Sequence, residues 1–222
     1  MQPYPETLKN LAPGQLQVQL SVPSFWHVVM GAGGKPAAEV HEDMLERFEV
    51  PLYKRKGGGG TVLLGPNTLV ITVHAGVAHL YRNQAYFQAV NRALISVFAD
   101  WKAHPYRQRG LSDIAVGDRK LVGSSIFRRK HYLLYQASLL LDLNLELMHV
   151  LLKHPPREPD YRDRRAHGDF LTSLKLLGVT LTPQELRDDL RAKLPGRLAR
   201  EFRLVDGPAV FPPASPLALG TE

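Results

Sequence analysis

A run of four glycines at residues 57–60 follows three cationic residues at 54–56 and leads directly into Thr61 and Val62. Because glycine lacks a Cβ, such a loop lets a ligand reach its backbone amides, and successive amides can form an anion-binding concavity. The neighbouring cations would add fixed positive charge for a carboxylate or phosphate group. A flexible linker has a similar composition, so the run alone leaves both interpretations open.

A second group of candidate residues lies in 111–125, where an aspartate and a lysine stand at the entrances of two predicted strands. Asp113 could hold a hydrated Mg²⁺, a hard cation that prefers carboxylate and phosphate oxygens. Lys120 could supply a compact positive charge to a carboxylate or an α-phosphate. An aspartate that caps a turn and a lysine at a solvated strand end would give the same spacing, and spacing alone favours that structural interpretation.

The pattern of apolar residues predicts the elements that position these groups. The last helix begins at a capping box, residues 182–185, and we expect it to end before Pro195. Strands are predicted at 16–22, 25–30, 50–53, 68–73, 114–116, 120–125 and 132–141, and helices at 39–48, 83–101, 143–152 and 182–193. This arrangement indicates a mixed α/β fold, more α+β than doubly wound, with the glycine run in a loop between strands.

Composition narrows the class of protein. The 222 residues include 28 Lys+Arg, 21 Asp+Glu and no cysteine, for a net charge of +7. This basic excess suits an anionic ligand or an acidic partner protein. We expect no nucleic-acid partner, because no long Lys/Arg block with interleaved aromatics occurs. With neither a long apolar run nor a signal-like N-terminus, we also expect no membrane association and a cytoplasmic location.

The two segments together resemble the catalytic domain shared by lipoate–protein ligases, lipoyl/octanoyl transferases and biotin–protein ligases. Lys54 and Arg55 correspond to an arginine pair, and residues 58–60 correspond to three glycines. Residues 112–114 resemble an Asn-Asp-Ile motif, and 120–125 resemble a Lys-Ile-Gly-Ser-Ala motif. Three positions depart from the family pattern: Gly57 replaces a serine or threonine, Ser112 an asparagine and Gln136 a histidine.

The resemblance implies a mixed central sheet flanked by helices, with a fatty-acid tunnel near the glycine loop. It also implies an enzyme that uses ATP and Mg²⁺ to convert lipoate or octanoate into an acyl-adenylate. A lysine of an acidic lipoyl carrier domain then accepts the acyl group. Lys120 corresponds to the family's critical lysine, and Val62 and Asn67 to its adenine pocket. The remaining implied binding residues are Arg55, Gly58, Gly59, Gly60, Thr61, Asp113, Gly123, Ser124 and Ser138, with Asp113 also the implied magnesium ligand.

The absence of cysteine excludes the acyl-cysteine mechanism of the octanoyl transferases. We expect a catalytic domain at 1–180, followed at 181–222 by a short helix and tail without a full accessory domain. The chain is then either a ligase or a non-catalytic lipoyl- or carrier-binding module, or one half of a split ligase that needs an accessory subunit. The proline- and arginine-rich segment 155–168 is either a lid over the site or a surface connection. The residues do not distinguish lipoate, octanoate and biotin as the substrate.

Overall fold

The computed structural model describes residues 1–212, so the predicted tail from 213 to 222 lies outside the described residues. The strands are β1 (Gln2–Pro3), β2 (Leu16–Ser21), β3 (His27–Met30), β4 (Leu52–Lys54), β5 (Val62–Leu64), β6 (Thr68–Gly76), β7 (Tyr106–Arg109), β8 (Asp113–Val116), β9 (Arg119–Arg129) and β10 (Tyr132–Leu140). The helices are α1 (Pro36–Glu39), α2 (Glu42–Arg47), α3 (Asn83–Trp101), α4 (Leu145–Leu151), α5 (His167–Phe170) and α6 (Pro183–Asp206), and a 3-10 turn spans Asp160–Arg162.

The larger sheet has six strands in the order β2-β6-β10-β9-β8-β7, and every neighbouring pair is antiparallel. Its side chains alternate between two faces. On β6, Leu69 and Ile71 point into the main apolar core, which α3 and α6 complete. Val70 belongs to a separate cluster on the opposite face. The large sheet is therefore sealed by helices on one face and is available to the site on the other.

The smaller sheet has four strands in the order β1-β4-β3-β5 and contains the parallel pairings of the fold, β1 with β4 and β3 with β4. The short helices α2, α4 and α5 pack around it through a second apolar cluster that includes Val28, Met30, Leu151 and Phe170. Strands interspersed with flanking helices confirm the predicted mixed α+β class. None of the helices within residues 1–212 is long and apolar enough to cross a lipid bilayer.

Helix α6 differs from the prediction, because it continues through Pro195 to Asp206 instead of ending at residue 193. Proline removes one backbone donor and favours a helix end. Here the apolar stripe continues beyond it, and Leu194, Leu198 and Phe202 are all fully buried against the main core. The burial of this stripe outweighs the local cost of proline.

The helix predicted at 39–48 is also wrong in detail, because two short helices occupy this region. Val40 separates them with extended backbone (φ −137°, ψ 158°) and forms an isolated bridge to Leu152. The backbone hydrogen bonds that Glu39 and His41 make with Lys153 and Leu151 replace helical ones at this point. Helix α3, in contrast, spans the predicted residues 83–101.

Candidate active site

A cavity of about 1190 Å³ lies between the two sheets. Its walls come from the β4–β5 loop, from β8–β10 and from the segment before α5. All but one of the predicted site residues border it, namely Arg55, Gly58, Gly59, Gly60, Thr61, Val62, Asp113, Lys120, Gly123, Ser124 and Ser138. Two segments more than fifty residues apart in sequence therefore share one cavity.

The exception is Asn67, which is not among the residues that border the cavity. Its side-chain amide donates to the carbonyl oxygen of Asp142 at 2.9 Å, and its carbonyl side-chain oxygen accepts from the hydroxyl of Thr68 at 3.2 Å. The backbone oxygen of Asn67 accepts from the amide of Leu141. Asn67 thus joins the start of β6 to the end of β10.

The four glycines of the β4–β5 loop differ in backbone conformation and in the space that a Cβ would have. Gly59 has φ +88°, in the left-handed region that strains other residues. A Cβ on Gly57 would lie 2.7 Å from Oγ of Ser125, so this glycine allows the loop to pack closely on β9. A Cβ on Gly58 or Gly60 would meet nothing within 4 Å among the described residues, and their bare backbone borders the cavity. The serine or threonine that is usual in place of Gly57 would collide with Ser125.

Arg55 is buried and holds the glycine loop in place. Its guanidinium donates to the carbonyl oxygens of Val29 at 3.1 Å, Gly58 at 2.6 Å and Gly60 at 2.8 Å. Burial lowers the pKa of Arg55 to about 10, a shift opposed by the nearby carboxylates of Glu6 and Glu39. Arg55 therefore stays charged at neutral pH and combines a structural role with positive charge at the cavity wall.

The two lysines beside Arg55 do not border the cavity. Lys56 forms an ion pair with Glu6 at 3.3 Å, and its backbone amide donates to the same carboxylate. Of the three consecutive cations, only Arg55 reaches the site.

Asp113 and Lys120 form an ion pair within the cavity, with 2.8 Å between Oδ1 and Nζ. Asp113 is buried and Lys120 is partly exposed. A Cβ on Gly123 would lie 2.9 Å from Nζ and 2.8 Å from Cε of Lys120. The absence of a side chain at Gly123 therefore leaves the space that the end of Lys120 occupies.

Small polar groups complete this wall. Ser112 and Ser124 exchange hydroxyl-to-carbonyl hydrogen bonds at 3.2 and 2.8 Å, which tie the entrance of β8 to β9. The hydroxyl of Ser138 donates to the carbonyl oxygen of Gly123 at 3.4 Å. Gln136 borders the cavity at the position where the family pattern has histidine. The cavity wall thus has a polar amide side chain in place of the imidazole.

The segment 155–168 forms part of the cavity wall. Arg162 is almost fully buried, and its guanidinium lies 4.8 Å from the centre of the Phe170 ring. Nη2 of Arg162 has no hydrogen-bond partner within the described residues, although its Nε donates to the carbonyl oxygen of Arg165. Burial, together with the charge of Arg162, lowers the pKa of His167 to about 4. Nε of Arg162 also lies 3.3 Å from a carboxylate oxygen of Glu158, so the positive charge of Arg162 is partly balanced within the segment.

Sequence reasoning missed Glu39, a buried carboxylate at the end of α1. It accepts hydrogen bonds from the Thr61 hydroxyl at 2.5 Å and the Lys35 amide at 3.3 Å. It also missed Gly31, where a Cβ would lie 2.0 Å from the carbonyl oxygen of Gly59. A signal for Gly31 was present in the second glycine-rich stretch, residues 31–34, which follows β3 directly.

The available ligands fit Mg²⁺ only in part. Within residues 1–212, no group of three or more His, Asp or Glu side chains could enclose a metal ion. Asp113 already accepts from Lys120 and Tyr161. A carboxylate has further lone pairs, and Mg²⁺ is commonly held by one or two carboxylates together with substrate phosphates. The side chains at the site would therefore hold Mg²⁺ only together with ligands from a bound phosphate group.

The fold resembles several solved structures. A bipartite lipoate protein ligase from Thermoplasma acidophilum, studied with its E2 lipoyl domain, has a TM-score of 0.72 and 17% identity over 94% of this chain and 89% of that one. A T. acidophilum structure described as a lipoate protein ligase with bound lipoic acid has a TM-score of 0.64 and 19% identity, covering 85% of this chain and 71% of that one. Lipoate-protein ligase A bound with ATP has a TM-score of 0.63 and 19% identity, covering 87% and 74%. At these identities the similarity establishes the fold.

Membership of a family is established by sequence. Residues 18–194 match the family model of the lipoyl protein ligase A/B catalytic domain. No curated protein matches the chain. Because the matched residues make up most of the chain, it belongs to the lipoyl protein ligase A/B catalytic domain family.

Proposed function

We propose that this member of the family is an ATP-dependent lipoate–protein ligase. In the first step, a carboxylate oxygen of lipoate or octanoate attacks the α-phosphorus of ATP, and pyrophosphate leaves. In the second, the ε-amine of a carrier lysine attacks the acyl carbonyl carbon, and AMP leaves. The chain itself contributes no covalent intermediate, which accords with its lack of cysteine.

One observation carries this proposal: the glycine loop with Arg55 and the Asp113–Lys120 pair border the same cavity. Adenylation brings the negative charges of a carboxylate and a phosphate together. Fixed positive charge and exposed amides in a partly enclosed site offset their repulsion. Either group of residues alone would bind an anion, but their shared cavity suits a reaction between two anions.

The residues divide into proposed roles. The apolar side chains of Val29, Leu64 and Val70 border the cavity beside the glycine loop and would contact the hydrocarbon chain of the acid. Lys120 would contact the oxygens shared between the carboxylate and the α-phosphate. Arg162 borders the cavity and would add positive charge near a phosphate group, and Glu158 shares that charge through an ion pair at 3.3 Å.

A magnesium ion would be held by Asp113 and the nucleotide phosphates, where it would neutralise phosphate charge. We also propose that the nucleotide and the acid contact the backbone of residues 58–60 and the predicted residues Thr61, Val62, Ser124 and Ser138. Since Asn67 lies outside the cavity, we assign it no ligand contact.

We propose a lipoyl carrier domain as the acceptor. Support comes from the T. acidophilum ligase, which was studied with its E2 lipoyl domain. The net charge of +7 would favour encounter with an acidic carrier at low ionic strength.

The test is the intact mass of a lipoyl carrier domain after incubation with the purified chain, ATP, Mg²⁺ and one acid at a time. We expect an acyl increment with lipoate or octanoate that requires ATP, and no increment on a carrier whose acceptor lysine is replaced by arginine. The size of the increment identifies the acid, including biotin. Acid-dependent release of pyrophosphate from ATP tests the first step without the carrier.

The second candidate function is one half of a split ligase. The observation that favours it is the alignment of 94% of this chain with 89% of a ligase described as bipartite. This candidate predicts that acid-dependent pyrophosphate release begins only when a second polypeptide is added. Lack of pyrophosphate release and of carrier acylation, both with and without the second polypeptide, would contradict both functions and leave the binding-module interpretation.

A further inference from the structure

Tyr161 connects the segment 155–168 to the ion pair in the cavity. Its hydroxyl donates to Oδ2 of Asp113 at 2.9 Å, while Oδ1 of the same carboxylate lies 2.8 Å from Nζ of Lys120. A single carboxylate thus contacts the tyrosine through one oxygen and the lysine through the other. Removal of the hydroxyl would leave the Asp113 side chain free to turn away from Lys120.

The ring of Tyr161 is held on two sides, so its hydroxyl has a defined direction. The guanidinium of Arg109 lies 4.9 Å from the ring centre, and the Phe170 ring lies 5.1 Å away. The backbone oxygen of Tyr161 accepts from Nη2 of Arg165 at 2.7 Å. These contacts fix both the backbone and the ring without using the hydroxyl.

The environment also determines what the hydroxyl can do. Burial raises the pKa of Tyr161 well above its usual value, and the negative charge of Asp113 raises it further. The phenol therefore stays protonated at neutral pH. A protonated phenol beside a carboxylate acts as a hydrogen-bond donor.

We propose that Tyr161 is a positioning residue for Lys120: by fixing the orientation of the Asp113 carboxylate, it holds the lysine amine where the acid and the nucleotide meet. The catalytic importance of this position rests on the proposed ligase function, whereas the geometric role of Tyr161 does not. The tyrosine itself contacts neither reacting carbon nor phosphorus in this proposal, and it transfers no proton.

The first test measures Lys120 directly, without acid, nucleotide or carrier. The folded protein is labelled briefly with an amine-reactive ester, and the labelling rate of Lys120 is measured by peptide mass spectrometry. Lys153, which borders the cavity and donates to the carbonyl oxygen of Ala37, serves as the internal reference. In Tyr161→Phe, we expect the rate at Lys120 to rise roughly threefold to tenfold relative to Lys153, the equivalent of losing one hydrogen bond of ordinary strength.

Matched variants separate this effect from a general loosening of the protein. Tyr106 is another buried tyrosine, and its hydroxyl has no partner within the described residues, so Tyr106→Phe should leave the Lys120 rate unchanged. Asp113→Asn, which removes the ion pair itself, should raise it at least as far as Tyr161→Phe. Replacement of Tyr161 by p-aminophenylalanine restores a donor at the same place and should return the rate toward that of the wild type.

The second test concerns turnover. Tyr161→Phe should lower kcat for carrier acylation roughly tenfold and leave KM for the acid nearly unchanged, since the hydroxyl does not contact the acid. An unchanged Lys120 labelling rate in Tyr161→Phe overturns the positioning role even if the wild type is an active ligase. If the wild type shows no ligase activity but labelling responds as expected, the proposed function fails and the positioning role stands.

Discussion

The two faces of the six-stranded sheet do different work, although the same strands form both. On β10, Tyr135 and Leu139 point to the face that α3 and α6 cover, where nearly every side chain is apolar and fully buried. The intervening residues Gln136 and Ser138 border the cavity. Because the side-chain period of a strand is two residues, one strand can supply both a dry core and a polar site. We therefore expect that single substitutions can change stability on one face of the sheet and chemistry on the other.

The largest expected effect is the loss of a buried aromatic on the helix face. Phe202 is fully buried on α6, with its ring 5.6 Å from Tyr86 and 5.5 Å from Phe211. Phe202→Ala should lower the free energy of unfolding by about 3–5 kcal/mol, because it removes apolar contacts and leaves a cavity. Denaturant unfolding measures this change. The folded fraction should keep wild-type kcat, whereas a larger loss of kcat than of folded protein would show that the two faces are coupled.

An exposed position on the same helix gives the control for Phe202. Leu204 lies two residues further along α6 and is 72% exposed. Leu204→Ala should change the free energy of unfolding by no more than about 0.5 kcal/mol.

The converse substitution lies on the cavity face. Lys120→Ala should reduce the rate of pyrophosphate release about 100- to 1000-fold, the usual effect of removing one group that stabilises charge in a transition state. The melting temperature should fall less than in Phe202→Ala, because the Lys120 end of the pair is partly solvated and Asp113 keeps its hydrogen bond from Tyr161. A matched control is Lys175→Ala, which breaks an exposed pair with Asp142 and should affect neither quantity. A wild-type rate in Lys120→Ala would refute the assignment of the site.

The free energy of unfolding also depends on pH through a buried histidine on the polar face of the sheet. His74 on β6 is buried between Gln19 and Tyr132, and burial lowers its pKa to about 4. The unfolded chain binds this proton near pH 6.5, so stability is complete above that pH and is lost as the pH falls toward 4. We expect His74 to account for on the order of 3 kcal/mol of this loss.

The measurement for His74 is a difference between two proteins, because carboxylates also titrate in this range. The free energy of unfolding is measured at pH 7 and pH 4 for the wild type and for His74→Gln. The variant should lose less stability between the two pH values. An equal loss in both would mean that His74 does not contribute to acid sensitivity.

The parts of the fold that sequence predicts well are those where local pattern and burial agree. Helix α3 matches the prediction because its apolar stripe faces the main core over its whole length. Helix α6 differs from the prediction, because Pro195 is a local signal for a helix end. The opposing effect is the burial of Leu198 and Phe202, which depends on tertiary packing. Where local and tertiary terms conflict, packing decides.

The candidate site shows the same limit. Each of its two motifs, around Arg55 and around Lys120, is a continuous stretch of sequence and could be recognised from the sequence. Glu39 was not predicted and Tyr161 was predicted only as part of segment 155–168, because their roles depend on partners 22 and 48 residues away in the chain. The departure from the family pattern at Gly57 has no explanation in the sequence, whereas in the structure Ser125 packs closely against this glycine. Contacts of this kind are set by tertiary packing and carry no local pattern.

The smallest expected effect tests how closely the cavity face is fitted. A Cβ at Gly123 would lie 2.9 Å from Nζ of Lys120, and the flexible lysine can move away at little cost to stability. Gly123→Ala should therefore displace the amine and lower kcat roughly tenfold, equivalent to about 1.4 kcal/mol, while the melting temperature stays near that of the wild type. Steady-state kinetics and thermal unfolding measure the two quantities.

The control for Gly123 is the same change at Gly196, an exposed glycine in α6 where a Cβ would meet nothing within 4 Å among the described residues. Gly196→Ala should raise stability by about 0.5–1 kcal/mol, because alanine restricts the unfolded chain, and should leave kcat unchanged. The two variants each add one methyl group, Gly123→Ala on the cavity side of the sheet and Gly196→Ala on the helix side. If Gly123→Ala lowered stability and kept full activity, the position of the Lys120 amine would serve the stability of the fold and not the reaction. The two faces of the sheet would then not have separate roles at Lys120.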